Sequence, residues 1–169
     1  MEPIHDETIE QTWQDVAAYT QEQARDHMKK VGRDQPNLLT FALEFIEGME
    51  DEVKELGIYT FFVVYQIFCN AYGKEIPMIS GDDIEKCYEA NEEFIENLNK
   101  AHEKIAERAT KIHISSQPAV IKYLVDTLIE ESPNEDERSL TEDEIGRLFI
   151  ILKTVIDALN KNTPAQAIS

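Results

Sequence analysis

Apolar residues recur along this chain at three- and four-residue intervals, a rhythm that predicts helices almost throughout. Ile84, Tyr88, Asn91, Ile95, Leu98, His102, Ile105, Ala109 and Ile112 keep strict alternation of four and three. A weaker stripe runs through Ile9, Trp13, Val16, Thr20, Gln23 and His27. Two further seams are Val53, Leu56, Thr60, Val63, Ile67 and Ile145, Leu148, Leu152, Val155, Leu159. Stripes of this kind pack neighbouring helices at shallow angles.

Boundary signals divide the pattern into helices near 6–30, 36–48, 50–72, 82–112, 117–131 and 141–161. Ser80 before Asp83 and Thr141 before Glu144 have the spacing of a capping box. Pro36 and Pro118 suit a first helical turn, where a missing N–H costs nothing. Lys29 and Lys30 ahead of Gly32 read as a helix end. Alternating patches are scarce, so the expected class is all-α: a compact bundle of about six helices in a single domain, 1–169.

Leu56 to Cys69 is the most apolar stretch. It is shorter than the ~20 residues a membrane span needs, contains Gln66, and is flanked by acids. The expectation is a helix buried on every side. The alternative is that its aromatic face of Phe61, Phe62, Tyr65, Phe68 and Tyr72 covers a partner or a second copy of the chain.

The pattern also repeats. Glu50-Asp51-Glu52-Val53-x-x-Leu56-x-Ile58 is matched 92 positions later by Glu142-Asp143-Glu144-Ile145-x-x-Leu148-x-Ile150. Gln35-Pro36 matches Gln117-Pro118 at an offset of 82, and Ile9 to Trp13 matches Ile84 to Tyr88 at 75. The chain therefore reads as two pseudo-equivalent three-helix units, 1–78 and 79–169. The second carries a seven-residue insertion in its first helix and a ten-residue insertion around Ser132–Arg138.

Charge narrows the partners. The net charge is −18, with 34 acids against 16 bases, and each proposed unit contributes −9. Phosphate contacts need Lys and Arg, so direct nucleic-acid binding is not expected. Anionic membrane surfaces repel such a chain. A basic protein partner fits, as does a solvated surface whose charge only keeps the protein soluble. Apolar content of 42% argues against an intrinsically disordered chain despite that charge. No secretory h-region occurs at the start, and Cys69 and Cys87 form no CxxC pair, so a reducing cytoplasm is expected.

Candidate chemistry is sparse. His27 and His102 correspond under the repeat, but Ala24 and Asn99 stand where a di-metal bundle needs Glu three residues earlier. Both read as boundary residues with hydrogen-bonded rings. Trp13, Tyr19 and Tyr123 fall at core-facing spacings. Glu44, Glu47, Asp51, Glu52 and Glu55 form the densest carboxylate group and are the metal candidates, for a magnesium-type site acting on a phosphate compound. The Ser132–Arg138 loop offers Glu135, Asp136 and Glu137 as an interaction surface. Phosphate-loop, dinucleotide, nucleophile-elbow and zincin motifs are absent, and no cofactor is expected. The sequence favours a non-enzymatic interaction or regulatory module with a protein partner, and leaves a homodimer open. Metal-dependent hydrolysis through the carboxylate group is the alternative.

Overall fold

The computed structural model describes residues 3–73, 76–101, 117–129 and 140–163; in helix 81–101 the side chains of 94, 95 and 97–101 are excepted. Seven helices occur among them: α1 (Asp6–Ala17), α2 (Gln21–Asp34), α3 (Pro36–Ile46), α4 (Asp51–Tyr72), α5 (Gly81–Ala101), α6 (Pro118–Ile129) and α7 (Glu142–Asn162). The described residues contain no strand.

The helix expected over 6–30 is two helices. Thr20 turns extended, at φ −70° and ψ 164°, and closes a capping box with Gln23. Its hydroxyl accepts from the Gln23 N–H at 3.1 Å while the Gln23 side chain accepts from the Thr20 N–H at 2.9 Å. That reciprocal pair satisfies N–H groups a helix start otherwise leaves open, so a new helix begins there. The stripe drawn through Trp13, Thr20 and Gln23 as one helix face is corrected accordingly. The face α1 buries is Ile9, Thr12 and Val16, and Trp13, one residue further round, is 40% exposed. Thr12 is tolerated inside because its hydroxyl donates to the Thr8 carbonyl at 2.7 Å and accepts from Asn70 at 3.0 Å.

Gly32 does not end α2, which continues to Asp34. The stop falls at Gln35, whose φ of −134° and ψ of 61° reflect the crowding that Pro36 imposes on the residue before it. Other boundaries follow their signals. Thr141 and Glu144 form the expected capping box, and the Asp83 N–H bonds to Ser80 Oγ at 3.2 Å. The repeated acidic triplets fall at the starts of α4 and α7, where negative charge complements the helix dipole.

α4 and α7 pack on each other at the centre. Leu56, Val63 and Ile67 share one buried cluster with Leu148, Leu152 and Val155. Gly57 lets the axes close up: a Cβ there would meet Ile46 Cδ1 and Leu148 Cδ2, each at 3.0 Å. α4 is buried nearly all round, with Phe61, Phe62, Tyr65 and Phe68 inside. The central-helix expectation holds for that aromatic face, although Tyr59 is 41% exposed. Outside the central pair, α1 packs on α4 and α6, and α5 packs on α7 and α3. α3 and α6 each touch both central helices, and α2 lies on α3. No helix among the described residues is long and apolar enough to cross a membrane.

Two buried glutamines tie down the segments that lead into α1 and α5. Gln35 Oε1 accepts from the Ile79 N–H at 3.0 Å, and its Nε2 donates to the carbonyls of Ile76 at 3.1 Å and Pro77 at 2.9 Å. Gln117 Oε1 accepts from the Ile4 N–H at 2.9 Å, and its Nε2 donates to the Tyr72 hydroxyl at 2.7 Å and Asn160 Oδ1 at 2.9 Å. Each glutamine thus satisfies buried backbone that would otherwise lie unpaired.

Candidate functional site

Three places gather chemistry among the described residues. The first is a groove of about 470 Å³ between α3 and α5. α3 presents Phe41 and Phe45 one turn apart, because Leu38, Ala42 and Ile46 take its buried face. α5 presents Tyr88 one turn after the buried Ile84. The three rings form a cluster: Phe41–Phe45 centroids are 5.0 Å apart, Phe41–Tyr88 5.6 Å and Phe45–Tyr88 4.8 Å. Glu44 and Glu85 also line the groove, one from each helix. Burial, then the hydrogen bond with Glu92 and its charge, push the Tyr88 phenol up to about 12, against a smaller opposing pull from Arg147. Phe45 remains 37% exposed, so ring surface is open to solvent.

The second is a groove of similar size where the α1–α2 elbow crosses α4, lined by Tyr19, Met28, Glu55, Ile58, Tyr59 and Phe62 among others. His27 is half-buried beside it. Its ring stacks on Tyr19 with centroids 4.6 Å apart and planes within 8°, and meets Phe62 edge-on at 6.0 Å. The contacts that hold this boundary histidine are therefore aromatic. Tyr19 and Tyr123 are half-buried, and burial raises both phenols, Tyr123 to about 12.

The third is a polar cluster enclosed between α5 and α7. Lys153 is 3% exposed, and its ammonium donates to Asn91 Oδ1 and Asp157 Oδ2, both at 2.7 Å. Asn91 Nδ2 donates to Thr154 Oγ1 at 3.1 Å and to Asp157 Oδ2 at 3.0 Å. A buried ammonium persists only when paired and hydrogen-bonded in this way. The amphipathic pattern did not single out this pair: Asn91 counted as one more stripe position, and Lys153 sits inside an apolar run. A lysine flanked by Leu152 and by Thr154-Val155-Ile156 was the available signal. Cys87 lies near this cluster and Cys69 beside Tyr65; both are free and half-buried, and burial raises both thiols.

The carboxylates singled out from the sequence are distributed rather than convergent. Glu44 lines the α3–α5 groove and Glu55 the α4 groove, while Glu47, Asp51 and Glu52 are exposed at the α3–α4 turn. Among the described residues, no three His, Cys, Asp or Glu side chains are grouped so as to hold a metal ion. His102, Glu135, Asp136 and Glu137 lie outside the described residues. Comparison with protein-family models, with curated proteins and with solved structures yields no match.

Proposed function

We propose that this chain is a non-enzymatic interaction or regulatory module that recognises a basic protein partner. The α3–α5 groove carries the reading: exposed aromatic surface flanked by carboxylates from two helices, on a chain of net charge −18. Carboxylates around apolar rings suit positively charged side chains with apolar stems. The same field disfavours nucleic acid and anionic membrane surfaces as direct partners. The cysteine usage of the sequence, two residues and no CxxC pair, supports a reducing cytoplasm as the working location.

The module is read as a duplicated three-helix unit. Exchanging α1 with α5, α3 with α6 and α4 with α7 carries the packing pairs α1–α4, α3–α4, α3–α7 and α1–α6 onto α5–α7, α6–α7, α4–α6 and α3–α5. The glutamines support it further. Gln35 holds Ile79 and Gln117 holds Ile4, which are equivalent positions at the 75-residue offset of Ile9 and Ile84. On this reading each unit clasps the entry of the other. Duplicated scaffolds of this kind work through surfaces.

Affinity capture tests the functional reading. The immobilised chain should retain, at low salt, proteins more basic than the lysate average and release them as salt screens the contact. Retained proteins no more basic than the input, or retention indifferent to salt, would overturn it.

A further inference from the structure

We infer that the α3–α5 groove is the recognition site itself and that it takes the guanidinium of an arginine in a basic segment of the partner protein. The inference rests on the binding-module reading and adds the ligand group that the groove takes.

Four observations meet at this groove. Phe41, Phe45 and Tyr88 supply ring faces within 6 Å of one another, and one ring of the three is substantially open to solvent. A cation within about 6 Å of an aromatic centroid is attracted by the ring's quadrupole, and a planar guanidinium can also stack on the ring. Glu44 on α3 and Glu85 on α5 line the same groove as the rings, so the site carries two carboxylates able to accept N–H donors from a cation. Glu92 bonds the Tyr88 hydroxyl and adds a third carboxylate beside the rings. Arg147 lies close enough to act on the same phenol, so an incoming guanidinium meets one cation as well as the acids. The volume of about 470 Å³ admits a side chain with adjoining backbone and no folded domain. The second groove has similar aromatic content but only Glu55 among its lining acids, so charge complementarity favours the α3–α5 site.

The test is isothermal titration of the full chain with a short oligoarginine peptide at low ionic strength, where screening extends over ~20 Å. The variants are Phe45→Ala, the pair Glu44→Gln with Glu85→Gln, and a control pair Glu7→Gln with Glu22→Gln that removes the same charge from α1 and α2. All changed side chains are exposed, and thermal melting confirms that each variant folds. The groove variants should each weaken binding about tenfold and the control pair less than about twofold. Oligolysine of equal length should bind more weakly than oligoarginine, because ammonium groups do not stack. If the control pair weakens binding as much as the groove pair, diffuse charge holds the peptide: the groove then no longer carries the reading, and what stands is a module that meets basic partners through its overall charge. If the peptide does not bind at all, both fall.

Discussion

Replacing Gln35 by Ala should loosen the entry into α5 and cost stability well beyond what its polar character suggests. The amide makes three hydrogen bonds to the backbone of 76–79, and the residue is fully buried. A neutral hydrogen bond contributes ~0.5–1.5 kcal/mol net, and a buried backbone group left unpaired costs ~1–3 kcal/mol. Pro77 is exposed, so its carbonyl regains water, while the Ile79 N–H and Ile76 carbonyl stay enclosed. The expected loss is therefore ~2–4 kcal/mol. At a urea slope of ~2 kcal/mol per molar, the midpoint should fall by about 1–2 M. Asn37→Ala is the internal comparison, since it removes a single part-buried bond to the Ile79 carbonyl at 3.1 Å and should cost about 1 kcal/mol. Hydrogen exchange adds a local readout: the Ile79 amide should lose protection in the Gln35 variant before the amides of α4 do. A loss below about 1 kcal/mol with Ile79 protection intact would refute the clasp.

Gly57→Ala should destabilise despite the better helix propensity of alanine, because its Cβ meets fully buried Ile46 and Leu148 carbons at 3.0 Å. A net loss of ~1–3 kcal/mol in urea unfolding is expected, and a gain would contradict the tight α3–α4–α7 approach. Lys153→Met should cost ~1–3 kcal/mol, discounted because Asp157 is about one-third exposed, with the α5 amides around Asn91 losing exchange protection first. Tyr123 has its phenol raised to about 12. Its neutral form is favoured by folding, so its contribution is intact below the unfolded value near 10 and is lost as pH rises from there through about 12. The difference between the alkaline absorbance titrations of the parent chain and Tyr123→Phe should place this phenol's ionisation well above 10, and in Tyr123→Phe the unfolding midpoint should move to higher pH.

The fold was legible wherever a periodic face was long. The seams through Val53–Ile67 and Ile145–Leu159 are the two central helices, and the Thr141–Glu144 box starts the second of them. The first helix misled because Thr20 and Gln23 read as seam positions, whereas their side chains bond backbone and start a new helix. That local competition between side chain and backbone is invisible to hydrophobic periodicity. Gly32 misled in the same direction, since the pre-proline restriction at Gln35 outweighs a glycine that packs inside the helix against Leu39. The groove was half-visible. Glu44 stands out as a carboxylate beside Phe41 and Phe45 on α3, but Glu85 and Tyr88 belong to α5, some forty residues on, and only packing brings them to it. The buried Lys153–Asp157–Asn91 group shows the same dependence, being one i,i+4 pair completed by a residue more than sixty positions away.

Thermal melting of the full chain tests the central claim most directly, with magnesium or manganese and the oligoarginine peptide compared at matched ionic strength. A ligand selective for the folded state stabilises it by ~2.7 kcal/mol at one hundred times its Kd, a rise of several degrees for a chain of this size. The account predicts that rise with the peptide, and with the divalent ions no more than sodium chloride gives. A saturable rise with a divalent ion and none with the peptide would contradict it, and would place the chain's chemistry in its carboxylates as a metal site.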